Sequence, residues 1–88
     1  MSEEKKETLI GKIIHYFDNI KVAVIVLKDE LKIGDQIRIK GGKTTNFTQE
    51  IESLENNYQK IKKANKGDEV GLKVKKKVRE GYKIYKIE

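Results

Sequence analysis

The chain has 88 residues, of which 39% are charged and 36% hydrophobic, and its formal net charge is +6. One small domain fits this length, and the absence of cysteine excludes disulfides and thiolate metal sites. The longest apolar run, Val22 to Leu27, is too short to span a bilayer, and the charged residues 1–7 lack the apolar core of a signal peptide. We therefore predict a disordered charged tail at residues 1–7, a single domain at residues 8–88, a cytoplasmic location and no contact with a membrane.

The first two predicted strands differ in how their apolar residues alternate. In the first strand, Ile13 and Phe17 share one face, whereas Lys12 and Tyr16 share the other. This pattern predicts that Phe17 points into the core and that Tyr16 is exposed. From Ile20 to Leu27 the chain is apolar on both faces, which predicts a central strand that is covered on both sides.

The downstream part of the chain continues this β pattern, with turn residues between short strands. Ile37 and Ile39 alternate with polar neighbours and are predicted to point into the core. Leu54 has the opposite parity to Phe47, so we expect either a bulge or a strand end near Ser53. Further strands are predicted at residues 58–61, 69–75 and 82–87.

The main alternative along the chain is a helix at residues 50–64, where several apolar residues also fit a helical stripe. A turn signal at Asn56-Asn57 and β-branched neighbours favour strands instead. Short strands separated by turn residues are typical of a small barrel or sandwich. We therefore predict an all-β fold, a small six-stranded Greek-key β-barrel.

Positive charge is concentrated in one segment of the chain. Residues 60–79 hold nine basic residues against two acidic ones, a net charge of +7, which leaves −1 for the rest. Such a segment is expected of a surface that meets phosphate, although a lysine-rich composition also arises in an AT-rich genome without selection for binding. The nucleic-acid-binding residues predicted in this segment are Lys60, Lys62, Lys63, Lys73, Lys75, Lys76, Lys77 and Arg79.

Two residues outside this segment complete the predicted site. Tyr16 lies near the end of the first strand, and Lys21 follows the turn after it. An aromatic ring at a strand end can stack on a base while a neighbouring ammonium group binds a phosphate. The alternative is that Tyr16 is an ordinary exposed strand residue.

The sequence contains no complete motif for catalysis, nucleotide binding or metal binding. Gly42-Lys43-Thr44 resembles part of a phosphate-binding loop, but Ile37 stands where that pattern needs glycine, and a strand follows rather than a helix. His15 is the only histidine, and it has too few partners for a metal site or a catalytic triad. We therefore predict no enzymatic activity, no cofactor, no metal and no bound nucleotide.

Several phrases of the sequence carry a family resemblance. Leu31–Asp35 and Ala64–Leu72 each contain a Gly-Asp turn beside an alternating strand, and together they resemble domain II, the β-barrel of the translational GTPases. Ile14–Phe17 and Phe47–Glu50 are similar to the barrel at the C-terminus of collagenase-like peptidases. The whole chain looks most similar to short translation elongation factor-like proteins.

This resemblance implies a non-enzymatic barrel that acts near translation and binds tRNA or ribosomal RNA through the lysine-rich segment. It does not extend to recognition of the aminoacyl end of tRNA, because the stretch Asp18–Val24 lacks the glycines of the elongation-factor barrel. The alternative is a protein-interaction module that docks to a peptidase-like or RNA-modifying enzyme or forms a homodimer. The apolar strand Val22–Leu27 favours that alternative, because its outer face needs cover.

Overall fold

The computed structural model describes residues 6–88, and every regular element in this part of the chain is a β-strand. Six of its strands have five residues or more, and the other four have two or three. This confirms the predicted all-β, barrel-like fold, with ten strands in the described residues where six are predicted. The strands are β1 (Glu7–Phe17), β2 (Val22–Leu27), β3 (Leu31–Lys32), β4 (Gln36–Gly41), β5 (Thr45–Glu50), β6 (Leu54–Asn56), β7 (Gln59–Ile61), β8 (Lys63–Ala64), β9 (Glu69–Lys73) and β10 (Lys83–Ile87).

Eight of these strands form one antiparallel sheet in the order β5-β4-β10-β1-β2-β9-β6-β7, and β3 pairs separately with β8. The sheet surrounds an aliphatic core in a barrel-like arrangement. Only isoleucine, leucine, valine and alanine occur among the buried hydrophobic residues of the described chain. The rings of Tyr16, Phe47 and Tyr82 pack against this core from its periphery. The short strands therefore contribute to a single hydrophobic centre, as is required for a domain of this size.

β1 begins at Glu7, within the segment that the sequence assigns to a charged tail. Glu7 pairs with Ile87 of β10, and its carboxylate Oε2 accepts a hydrogen bond from Arg38 Nε at 2.9 Å. Lys6 also contributes, because its carbonyl oxygen accepts the Glu88 N–H at 2.8 Å. The prediction of a tail is therefore wrong for Glu7. Residues 1–5 lie outside the described residues, and for them the tail stays a prediction.

Irregular pairing along β1 reverses the predicted orientation of its last residues. The register with β2 shifts between Ile13 and His15, so that Ile14 is an extra residue in the strand. An extra residue in one strand inverts the inward and outward alternation that follows it. Tyr16 consequently packs against the core, whereas Phe17 is 47% exposed. The prediction that Phe17 points inward and Tyr16 outward is wrong for this reason.

β2 lies at the centre of the sheet, between β1 and β9, as predicted. Its inward residues, Ala23, Ile25 and Leu27, are buried in the core. Its alternate residues, Val22 and Val24 among them, are only half-buried. Within residues 6–88 the strand is therefore covered on one face, and the predicted cover on its second face is missing from this part of the chain.

The downstream strands follow the predicted pattern. Ile37 and Ile39 are fully buried, which confirms their inward orientation. β5 ends at Glu50 and β6 starts at the buried Leu54, which confirms a strand end near Ser53. Residues 54–61 form the β6–β7 hairpin rather than a helix, and the two residues of its turn both have positive φ, 52° at Asn57 and 62° at Tyr58. The turn signal of the sequence is therefore correct.

The barrel is closed by the side-chain amide of Gln49, the one buried polar residue in the described part of the chain, at 5% exposure. Its Nε2 donates to the carbonyl oxygen of Lys73 at 2.9 Å, and its Oε1 accepts the N–H of Lys75 at 3.0 Å. A carboxamide offers a donor and an acceptor in the same way as a peptide group. Gln49 therefore links β5 to the segment after β9, although these strands are not neighbours in the sheet.

Replacing Gln49 with leucine is expected to lower the free energy of unfolding by about 1–3 kcal/mol, because the Lys73 carbonyl and the Lys75 N–H lose their partner. Urea denaturation followed by circular dichroism measures this change. The matched control is Gln36→Leu on β4, an exposed glutamine whose 3.4 Å contact with Glu50 is weak. Equal effects of the two substitutions would show that Gln49 does not close the barrel.

Candidate functional site

The ten residues predicted to bind nucleic acid fall into two groups rather than one continuous ridge. The first group lies on β7, on β8 and between them. The second group lies at the end of β9, in the segment after it and beside the β1–β2 turn. The first group consists of Lys60, Lys62 and Lys63, and the second of Lys73, Lys75, Lys76, Lys77, Arg79, Tyr16 and Lys21.

Part of the second group converges beside the β1–β2 turn. The carbonyl oxygen of Lys21 accepts the Val74 N–H at 2.9 Å, which holds the segment after β9 against this turn. Tyr16, Lys77 and Arg79 line one open groove of about 480 Å³, together with Val78 and Glu80. Lys77 Nζ also lies 3.9 Å from Asp18 Oδ2. Because acidic side chains accompany the basic ones, this groove is not a purely positive surface.

Two lysines of the second group have other contacts. The backbone N–H of Lys75 donates to Gln49, so this residue helps to close the barrel. The Lys76 ammonium lies 5.6 Å from the centre of the Phe47 ring, a cation–π arrangement. The cation–π contact gives the Lys76 side chain a structural explanation that the sequence does not reveal. The Lys75 contact involves only its backbone and does not explain its side chain.

The hydroxyl of Tyr16 is occluded from solvent and has no hydrogen-bond partner among residues 6–88. Burial raises the pKa of this phenol above its ordinary value of 10.0, and the nearby Asp18 carboxylate adds to the increase. The Tyr16 ring packs against the core, so its face is not available for stacking on a nucleic-acid base. The structure thus does not present Tyr16 as an open stacking surface.

An apolar patch occupies the outer side of the β1–β2 hairpin. Phe17 is paired with Val22 and His15 with Val24, so these side chains share the outward face of the sheet. The His15 and Phe17 rings also meet edge to face, with 4.4 Å between their centroids. We define the β1–β2 patch as Ile14, Phe17, Ile20, Val22 and Val24, of which the first three are 38%, 47% and 59% exposed.

A second surface is the groove between β7 and the end of β3. Its volume is about 600 Å³, and its apolar residues are Ile33, Leu54 and Ile61. Ser53 and Glu52 also line it. We define the β7 groove by these residues together with the lysines at its rim, Lys32, Lys60, Lys62 and Lys63.

The sequence pointed to only part of these two surfaces. The adjacent pair Ile13-Ile14 interrupts strict alternation, and this is the one signal from which the bulge and the exposed patch could have been found. No sequence signal indicates the β7 groove, because pairing of β3 with β8 brings Lys32 beside Lys63 from a distant part of the chain. Only three lysines of this groove belong to the predicted site.

The chemistry of the remaining polar groups is limited. His15 Nδ1 lies 3.5 Å from Glu80 Oε2, and both side chains are more than half exposed. Between residues 6 and 88 no group of three or more histidine, cysteine or acidic residues is arranged to hold a metal. Over the same residues, no helix has the length and apolarity needed to cross a membrane.

Comparison with known proteins relates the chain to peptidases. An uncharacterised protease of Methanocaldococcus jannaschii is 40% identical over 77 residues, which cover 86% of this chain and 19% of the protease. A collagenase of Porphyromonas gingivalis is 36% identical over 85 residues, which cover 96% of this chain and 24% of the collagenase. The chain thus spans only about a fifth to a quarter of these relatives. No protein-family model matches it.

The fold is also that of a solved peptidase domain. Two crystal structures of the C-terminal domain of a putative U32 peptidase from Geobacillus thermoleovorans superpose with TM-scores of 0.82 and 0.84, each at 22% identity. They cover 86% and 90% of this chain, and 95% and 91% of the solved domain. At this identity the comparison establishes the shared fold. It agrees with the resemblance to the C-terminal barrel of collagenase-like peptidases.

These findings correct the functional interpretation of the sequence. The expected translation elongation factor-like role is wrong, because the similar proteins are a protease, collagenases and a putative U32 peptidase domain. The resemblance to domain II of the translational GTPases is likewise not reproduced by them. Binding of tRNA or ribosomal RNA by the lysines is not tested by any of these observations and stays a prediction of the sequence.

Replacing Tyr16 with phenylalanine is expected to raise the free energy of unfolding at pH 7 by about 1 kcal/mol, because an occluded hydroxyl without a partner is removed. The same substitution also changes the alkaline response. In the wild type the unfolded phenol loses its proton near pH 10 and the folded phenol does so at higher pH. Ionisation of the unfolded state therefore lowers the free energy of unfolding of the wild type as the pH rises from 10 through the folded pKa, and this decrease is absent from the variant.

Thermal unfolding between pH 7 and pH 11 checks both effects. Phenylalanine at position 16 should make the loss of stability above pH 10 smaller than in the wild type. The control is Tyr58→Phe, whose side chain is fully exposed and whose replacement should change the free energy of unfolding at pH 7 by less than about 0.5 kcal/mol. A destabilised Tyr16→Phe protein would mean that the hydroxyl has a partner in solution.

Proposed function

We propose that this chain is a non-catalytic docking module that binds a peptidase-type catalytic domain through the β1–β2 patch. The observation that carries the proposal is the similarity of 86–96% of the chain to a small part of a protease and a collagenase. In those relatives most of the polypeptide lies outside the matching segment, so a barrel of this kind accompanies a much larger body. We place the module in the cytoplasm, as the sequence predicts.

The β1–β2 patch has the character of an interface centre. Interface centres are depleted in charge, and aromatic residues such as Phe17 are prominent among their anchors. Four residues of the patch lie on the central strand β2 and its neighbour β1, and Ile20 lies in the turn that joins them, so the sheet supports most of the patch. Three exposed large apolar side chains in one short hairpin are typical of a site that another protein covers.

The polar groups near this patch support docking better than catalysis. His15 forms a pair with Glu80 in which both groups are exposed to water, and water weakens such ion pairs. The same histidine packs its ring against Phe17 of the patch, which gives it a structural role beside the patch. We therefore assign the chemistry of the assembly to the partner and its placement to this barrel.

The test is calorimetric titration of this chain into the Porphyromonas gingivalis collagenase from which the segment matching this chain has been removed. We expect binding, and we expect the double substitution Phe17→Asp and Ile20→Asp to weaken it at least ~30-fold, since interface anchors contribute about 2 kcal/mol or more. The matched control is Tyr58→Asp, which places a carboxylate at an exposed aromatic position outside the patch.

A second arm keeps the experiment decisive if the shortened collagenase does not fold. In a chimeric protein, this chain is substituted for the matching segment of the intact collagenase. Limited proteolysis of the chimera then reports whether the barrel packs against the rest of the enzyme. The two aspartate substitutions should expose the junction to cleavage. Equal cleavage with and without them would contradict the proposal. Sedimentation of the free chain as a dimer that the same substitutions dissociate would assign the patch to self-association instead.

A further inference from the structure

We propose that the β7 groove binds an extended acidic peptide segment, which adds to the outer edge of β7 as an extra strand. This site is separate from the β1–β2 patch, and the inference does not depend on the proposed docking function. Three features of the groove support it: a strand edge with no pairing partner among residues 6–88, an apolar floor and a basic rim.

The unpaired edge follows from the geometry of the β6–β7 hairpin. A two-residue turn, Asn57-Tyr58, joins Asn56 to Gln59, so these two residues form the closing hydrogen-bonded pair. Hydrogen-bonded and non-hydrogen-bonded pairs alternate along antiparallel strands. Lys60, paired with Glu55, is therefore a non-hydrogen-bonded position, and its N–H and C=O point away from β6. Because β7 is the last strand of the sheet, they face the outer edge.

The neighbouring part of the chain shows how this edge accepts another strand. Lys62 is two residues after Lys60, so its backbone groups point to the same edge. Its carbonyl oxygen accepts the N–H of Ile33 at 3.0 Å. The chain then turns away at Gly34, whose φ is +94°, and the Gly34 N–H donates to the Ile51 carbonyl oxygen at 2.9 Å. Pairing along the edge therefore stops before it reaches Lys60. A guest strand can continue from this point.

The floor of the groove suits alternate apolar side chains of such a strand. Leu54 is buried beneath it, Ile61 is half-buried, and Ile33 is 39% exposed. Leu54 and Ile61 are directly paired across the hairpin, so the buried Leu54 supports Ile61 from beneath. The accessible part of the floor is therefore formed by Ile61 and Ile33. In an added strand every second side chain points to the same face, here toward the floor. When a peptide binds by strand addition, its backbone hydrogen bonds supply affinity and these alternate side chains supply specificity.

The rim of the groove selects negative charge. The groove is lined by four lysines and one carboxylate, that of Glu52. Two further carboxylates lie close by: Glu55 is paired with Lys60 across the hairpin, and Glu30 Oε2 is 3.1 Å from Lys63 Nζ. Lys32, Lys60 and Lys62 have no ion pair among the described residues. An acidic peptide complements this rim. Nucleic acid would complement the charge too, but it has no backbone N–H and C=O with which to extend β7, and it would leave the apolar floor unused.

The probe is a fluorescein-labelled hexapeptide in which glutamate and valine alternate, titrated with the full chain and followed by fluorescence anisotropy. We expect saturable binding that weakens as salt rises from low to physiological concentration, since the rim charges are exposed. A peptide with lysine in place of glutamate should not bind. Hexaglutamate should bind at least ~10-fold more weakly, because it lacks the valines that cover the floor.

The decisive comparison is between Lys60→Ala and Lys60→Pro. Both remove one rim charge, but only proline removes the outward N–H, and an edge strand tolerates proline where its N–H faces outward. Alanine should weaken peptide binding by no more than ~5-fold, as expected for one exposed charge. Proline should weaken it at least ~5-fold further, because the backbone bond is lost and the ring obstructs the edge. Equal affinities of the two variants would overturn strand addition.

Two further measurements keep the outcome unambiguous. If Lys60→Pro does not fold, amide chemical shifts of the wild-type chain replace it: the peptide must perturb the residues of the β7 groove, and perturbation confined to the segment after β9 overturns the proposal. Equal binding of a single-stranded RNA hexanucleotide would also overturn it and assign the rim to polyanions in general. Phe17→Asp should leave peptide binding unchanged, so the docking proposal and this one fail independently.

Discussion

The side-chain amide of Gln49 holds together two parts of the sheet that do not pair with each other. Through its hydrogen bonds to Lys73 and Lys75 it fixes the segment after β9 against β5. Val74 and Val78 are buried as part of the same arrangement. The positions of Lys75, Lys76 and Lys77 depend on this contact, because these lysines lie on the backbone between the two valines. A buried amide with both of its polar atoms satisfied closes the barrel without leaving an unpaired group in the core.

The extra residue in β1 has a comparable influence on the surface. It turns Tyr16 toward the core and Phe17 toward solvent, and it thereby places an aromatic ring beside the outward valines of β2. A regular strand would have buried Phe17 and left a more polar face. The bulge therefore converts the first hairpin from an ordinary two-sided strand pair into the apolar surface that we propose as the docking site.

The two proposed surfaces differ in chemistry and in their position on the sheet. The β1–β2 patch lies on the face of central strands and is suited to a broad, folded partner. The β7 groove lies at an edge and is suited to an extended segment. Lysines at an exposed edge also protect it from pairing with a second copy of the chain, because like charges would then meet. The same lysines thus disfavour self-association and favour an acidic partner.

The sequence by itself determined the all-β class, the inward positions of Ile37 and Ile39, and the turn around Asn57, because period-two alternation and turn residues are local properties. It also identified the lysines of the basic segment as surface residues. Only the tertiary structure decided which lysines lie together, which aromatic ring of β1 is exposed, and that Lys32 and Ile33 line the same groove as Lys60. These features depend on a bulge and on pairing between distant strands. Register and long-range pairing are set by the packing of the whole sheet, and no short stretch of sequence contains that information.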